Sequence, residues 1–72
     1  MDPYEELANT IILRAVKDYR RALKKLKSKP LDEDAEKTRK ECLRFFRSDW
    51  FSKLTDIEPE FLIRKLNEEV KA

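Results

Sequence analysis

Glycine and histidine are both absent from this 72-residue sequence, and cysteine occurs once, at Cys42. Without glycine, the phosphate-cradling loops of the Walker and dinucleotide types are excluded, because their backbones approach the ligand where a Cβ does not fit. A single cysteine and no histidine exclude an intrachain disulfide and a His/Cys zinc site, the usual staples of a very small domain. A domain of this length buries only ~60 to 65 % of the surface its unfolded chain exposes, so association with a partner or with itself would add needed stability. Apolar runs are short, as in Ile11-Ile12-Leu13, against the ~20 residues that a membrane span requires. The opening Met1-Asp2-Pro3-Tyr4-Glu5-Glu6 lacks the basic-then-apolar pattern of a secretory signal. Together with the lone thiol, this predicts a cytoplasmic protein.

Charge is what the chain has in abundance, 17 basic and 15 acidic residues with a net charge of +2. The signs are segregated. Arg14 to Lys29 holds eight basic residues and one acid, Asp18, whereas the remaining segments hold 9 basic and 14 acidic residues. A basic end and an acidic body are expected.

Three prolines, Pro3, Pro30 and Pro59, punctuate the sequence at helix boundaries. Asp2 as N-cap, Pro3 at the first helical position and Glu5 three residues after the cap predict a helix start. Apolar residues then recur at Tyr4, Leu7, Ala8, Ile11, Ala15, Tyr19, Ala22, Leu23 and Leu26, one face of a helix running to about Lys27. Lys29-Pro30 breaks it. The acidic turn Asp32, Glu33, Asp34 and Glu36 suits a helix N-terminus, predicting a second helix from Glu33 to Arg47, antiparallel to the first. Ser48 with Asp49 predicts a short element, Asp49 to Leu54. Thr55 with Glu58 has the capping-box spacing ahead of a last helix from Pro59 to Val70, with Leu62, Ile63, Leu66 and Val70 on one face. The expected fold is all-α: one domain spanning 1–72, a small antiparallel helical bundle with a long first helix, a second helix, a short connecting helix and a C-terminal helix.

At about 100° per residue, Arg14, Lys17, Arg21, Lys24 and Lys25 share the side of the first helix opposite its apolar stripe. Such a face can bind the phosphates of DNA, RNA or a nucleotide, can meet an acidic protein surface, or can be an ordinary solvated face helped by cations near a helix C-terminus. On the second helix Phe46 joins Ala35 and Cys42 on the inner face, while Phe45 points elsewhere, and Phe61 falls off the apolar stripe of the last helix. Phe45 and Phe61 are therefore the candidates for an exposed aromatic contact, and Phe46, Trp50 and Phe51 are expected in the core. Cys42 reads as a small core residue, with no histidine to activate it. No metal ligand set, cofactor site or catalytic constellation emerges, and the chain reads as not an enzyme. A helix-turn-helix reading fits poorly, because its recognition helix would begin Asp56-Ile57-Glu58-Pro59-Glu60, acidic where it must meet DNA.

The stretch Glu41-Cys42-Leu43-Arg44-Phe45-Phe46-Arg47-Ser48-Asp49-Trp50-Phe51, with Leu54-Thr55, Phe61-Leu62-Ile63 and Ile11-Ile12-Leu13-Arg14-Ala15-Val16-Lys17-Asp18-Tyr19-Arg20, resembles small uncharacterised helical proteins from prophages and mobile elements of Firmicutes bacteria. The resemblance covers most of the chain and supplies no functional residues to carry over. It implies a phage-encoded binding protein in the cytoplasm of a bacterial host, an inhibitor of a host defence protein of anti-CRISPR type acting by protein-protein contact. Two alternatives stand beside it: a nucleic-acid-binding accessory protein using the basic face, and an oligomeric sponge for cyclic nucleotides in which Tyr4, Tyr19 or Trp50 stack on bases.

Overall fold

A computed structural model describes residues 3–71, with side chains from residue 9 onward. Its four helices are α1 (Pro3–Ser28), α2 (Glu33–Phe46), α3 (Asp49–Leu54) and α4 (Pro59–Lys71), and there is no strand among the described residues. Each helix predicted from periodicity is present, with bounds that differ by no more than one residue. The proposed cap Asp2 lies outside the described residues, as do the side chains of Tyr4 and Glu5.

The way these helices end follows from the missing glycine. No described residue has a positive φ, so the left-handed glycine stop common at helix C-termini is not used. Instead α1 ends with the Lys29 amide on the Lys25 carbonyl at 2.7 Å and the Ser28 hydroxyl donating to the same carbonyl at 3.2 Å. After a turn closed by the Asp32 amide on the Lys29 carbonyl, the Asp32 carboxylate accepts from the Ala35 amide at 2.8 Å and caps α2. That bond, with Lys25 nearby, holds the Asp32 carboxyl below its usual range.

Helix α2 stops at Phe46, with Arg47 as its C-cap, one residue before the predicted end. Ser48 then serves both sides of the corner: its hydroxyl donates to the Phe45 carbonyl at 2.6 Å and accepts from the Phe51 amide at 3.2 Å. Removing one such cap costs ~1 kcal/mol, which in a domain of this size is a fall of roughly 4 to 8 °C in Tm. Ser48→Ala is expected to show that fall in a thermal melt followed by circular dichroism, with helix content before the transition unchanged.

The capping box expected at Thr55 does not form. The Glu58 carboxylate itself accepts from the amides of Glu60 at 3.1 Å and Phe61 at 2.7 Å. Pro59, which has no amide hydrogen to satisfy, takes the first helical position. Thr55 instead accepts from the Ile57 amide at 3.3 Å within the preceding loop.

Helix α1 is the spine. Its 26 residues correspond to about 39 Å, close to the 41 Å length of the whole molecule. Ala22 and Lys25 share a groove with Asp34 and Ala35, and Ile11 and Ala15 share one with Cys42 and Phe45, so α2 runs antiparallel to α1. Tyr19 meets Asn67, Arg20 meets Glu69 and Lys27 meets the Val70 carbonyl, so α4 runs parallel to α1. The result is an up-down-up bundle of three long helices with α3 as its corner.

The core contains Ile12, Val16 and Tyr19 of α1, Cys42 and Phe46 of α2, Phe51 of α3, and Ile63 and Leu66 of α4. Tyr19, Phe46 and Phe51 are fully buried. Phe46 meets Tyr19 edge-on at 5.8 Å and Phe51 at 5.6 Å between ring centroids, a favoured aromatic geometry. The Tyr19 hydroxyl donates to Asn67 Oδ1 at 2.8 Å, and no buried side-chain polar atom among the described residues lacks a partner.

Candidate functional site

The five basic residues predicted to share one side of α1 do so, and Arg14, Lys17, Arg21, Lys24 and Lys25 are all exposed. Their neighbours explain which cations are occupied structurally. Arg20 and Lys27, nearer the apolar stripe, reach α4. Arg20 makes a two-pronged bond to the Glu69 carboxylate at 2.8 and 3.1 Å, and Lys27 donates to the Val70 carbonyl at 2.9 Å. Lys25 lies 3.5 Å from the Asp32 carboxylate. Arg14, Lys17, Arg21 and Lys24 have no ion pair among the described residues. They follow one another at spacings of three, four and three, a continuous outward ridge.

Beside the ridge lies a shallow groove between α1 and α2. One section, of about 350 Å³, is lined by Asp18, Arg21, Ala22, Lys25, Asp34, Ala35, Thr38 and Glu41. A second, of about 380 Å³, carries Ile11, Arg14, Ala15, Asp18, Glu41, Cys42, Phe45 and Trp50. Its floor is made of small residues because those are what let two helices approach closely. Its α1 wall is mainly basic and its α2 wall acidic.

Three aromatic expectations change in the folded chain. Trp50, expected in the core, is 55 % exposed. A six-residue helix has only one side to bury, and α3 turns Phe51 inward, which leaves Trp50 about 100° away at the groove mouth. Phe45, expected to be an exposed contact, is half-buried and packs against the core. The return of the chain through α3 brings Trp50 and Phe51 edge-on to it at 5.7 and 5.6 Å. Tyr19, a candidate for stacking on a base, is 1 % exposed and spent on the core, since it sits in the middle of the stripe that both α2 and α4 cover. Of the other stacking candidates, Trp50 is accessible, and the Tyr4 side chain lies outside the described residues.

Phe61 is on the outer face of α4 as expected, 48 % exposed, with Arg64 Cζ and Lys65 Nζ each 5.6 Å from its ring centroid. Cys42 is buried, and burial first, then the nearby Asp18 and Glu41 carboxylates, push its thiol up to about 11. At neutral pH it is protonated. Among the described residues no group of three or more Cys, Asp or Glu side chains is placed to hold a metal ion, and no helix is long and apolar enough to cross a membrane.

The groove is the feature that sequence reasoning missed. The available signal was the pairing of small residues, Ala15 and Ala22 on α1 with Ala35 and Cys42 on α2, which marks where two helices come close. Compared with known proteins, the chain matches no family model, and no match was found among curated proteins or solved structures.

Proposed function

We propose that this chain is a non-enzymatic binding protein that works by occupying a surface on another protein, with the outward ridge of α1 as its contact. The observation that carries the reading is the ridge itself, four neighbouring cations without an ion pair among the described residues, where Arg20, Arg39 and Arg47 are paired with carboxylates. A solvated face ordinarily mixes signs, whereas an unpaired single-sign row favours a partner of opposite sign and accelerates its capture. The arginines offer a planar fork that fits a carboxylate on two prongs. The resemblance to prophage proteins supports the more specific form of the proposal, a phage-encoded inhibitor of a bacterial defence protein, anti-CRISPR in type, acting in the host cytoplasm.

The same ridge favours one other reading, an accessory protein that binds DNA or RNA. Phosphates and acidic side chains both satisfy a row of cations, but they differ in salt response. Four phosphate contacts on duplex DNA give a slope of about −3.6 for log affinity against log salt. The nucleotide-sponge reading has less support, because Tyr19 is committed to the core.

Retention of host proteins on the tagged chain, with and without nuclease treatment, separates these readings. A stoichiometric protein that stays after nuclease treatment, and is lost from Lys17→Glu/Lys24→Glu, fits the inhibitor proposal. Reversing two ridge charges is expected to weaken that complex by at least ~tenfold while leaving the thermal melt unchanged. Retention that disappears with nuclease, or binding of a duplex with the steep salt slope, establishes the nucleic-acid reading instead. A complex indifferent to the double reversal overturns the ridge as the contact.

A further inference from the structure

The groove between α1 and α2, which shares Arg14 and Arg21 with the ridge, has a second, acidic wall that the ridge reading leaves unused. Arg14, Arg21 and Lys25 line its α1 wall, Asp34 and Glu41 line its α2 wall, and Arg14, Arg21, Asp34 and Glu41 make no ion pair among the described residues. Asp18, between Arg14 and Arg21, is the one acid on the basic wall. At one end sits Trp50, with most of its apolar neighbours, Ile11, Ala15 and Phe45, only partly covered. A surface with opposite charge on its two walls and an exposed tryptophan at its end is complementary to itself.

We propose that two copies of this chain pair groove to groove about a two-fold axis parallel to α1 and α2, each copy's basic α1 wall lying on the acidic α2 wall of the other. The orientation follows from the charges. A two-fold axis along the helices exchanges the positions of α1 and α2 while keeping every residue at its own height. Residues that share a section of the groove thereby come together between copies: Arg21 and Lys25 near Asp34, and Glu41 near the stretch from Arg14 to Arg21, in which Asp18 is the one like charge. The other two-fold choice, perpendicular to the helices and lying in the interface, sets α1 on α1 and brings the cations of both copies together. Like charges in close apposition disfavour that packing.

The preferred axis also makes each α1 antiparallel to the α2 it meets, the arrangement of a four-helix bundle built from two hairpins. The small floor residues Ala15, Ala22, Ala35 and Cys42 permit close approach, and the two Trp50 rings are covered at the same end of the assembly. A standard interface takes ~800 Å² from each partner, about a seventh of the 5777 Å² surface of this chain. Lys17 and Lys24, farthest from the groove, remain outward, so the paired molecule still presents these two ridge cations from each copy.

The test needs no partner and reads the oligomer directly. Sedimentation velocity from low to high micromolar concentration is expected to show a monomer-dimer equilibrium. The emission of Trp50, the single tryptophan, is expected to shift to shorter wavelength as the dimer forms. Asp34→Arg/Glu41→Arg makes both walls basic, and Arg14→Glu/Arg21→Glu makes both acidic. Each variant alone is expected to dimerise at least ~tenfold more weakly, and an equimolar mixture is expected to restore the dimer as a heterodimer. Melts by circular dichroism establish that each variant is folded, and Lys17→Glu/Lys24→Glu serves as a control that dimerises like the parent. A parent chain that stays monomeric with unshifted emission overturns the proposal. So does a dimer indifferent to both reversals, or variants that fail to complement on mixing.

Discussion

Phe46→Ala is expected to leave this protein largely unfolded at physiological temperature. Phe46 is fully buried and its ring contacts Tyr19, Phe45 and Phe51, so it joins α1, α2 and α3 at one point. Replacing a buried phenylalanine by alanine costs ~3 to 5 kcal/mol, a sum of lost apolar transfer and the cavity left behind. A chain of this length has a total stability of roughly 4 to 10 kcal/mol, and no disulfide makes up the difference. Phe46→Leu keeps most of the apolar volume and is expected to retain a cooperative transition at a lower midpoint. Urea unfolding followed by circular dichroism measures both, and a loss under ~1 kcal/mol in the alanine variant would place the organising centre of the core elsewhere.

The second large effect is alkaline. The Cys42 thiol is pushed from its ordinary 9.0 up to about 11, chiefly by burial. Between those two values the unfolded chain has released the thiol proton and the folded chain has kept it, so the unfolded state binds fewer protons and stability falls as pH rises. The contribution is fully present below pH 9 and lost by about pH 11, and two units correspond to ~3 kcal/mol. Burial raises Tyr19 above its ordinary 10.0 as well, which adds a loss in the same direction at higher pH. Cys42→Ala is expected to shift the whole stability curve slightly and to flatten this alkaline limb to the part belonging to Tyr19. Identical slopes in the two proteins would mean that the thiol titrates normally.

The acid limb has the opposite sign. Glu36 beside Arg39 and Glu60 beside Arg47 are held below the usual carboxylate range by those guanidinium bonds, as Asp32 is by the Ala35 amide. Their contribution is present above the ordinary carboxylate pKa and disappears as pH falls through the lower folded values.

The same residues show which parts of the protein were legible before it folded. Helix periods, the Pro3, Pro30 and Pro59 boundaries, the Asp32 and Ser48 caps and the basic ridge of α1 are properties of one segment at a time. A face of a single helix is determined by residue spacing alone, so the sequence by itself determined where Arg14, Lys17, Arg21, Lys24 and Lys25 would stand relative to one another. It also determined that Phe46 and Cys42 would face inward and Phe61 outward.

The tertiary structure decided whatever depends on two segments meeting. Trp50 and Phe45 changed roles because the direction in which α3 leaves the Arg47-Ser48 corner selects which ring is covered, and Tyr19 did because α2 and α4 both close over its stripe. Glu58 displaced Thr55 as the cap of α4 because Thr55 is already the C-cap of α3, its amide on the Phe51 carbonyl, and Glu58 is the residue that directly precedes the Pro59 start. The groove with one basic and one acidic wall belongs to neither helix alone. It exists because antiparallel packing through alanines and a cysteine brings the two helices close, with their charged flanks standing on either side.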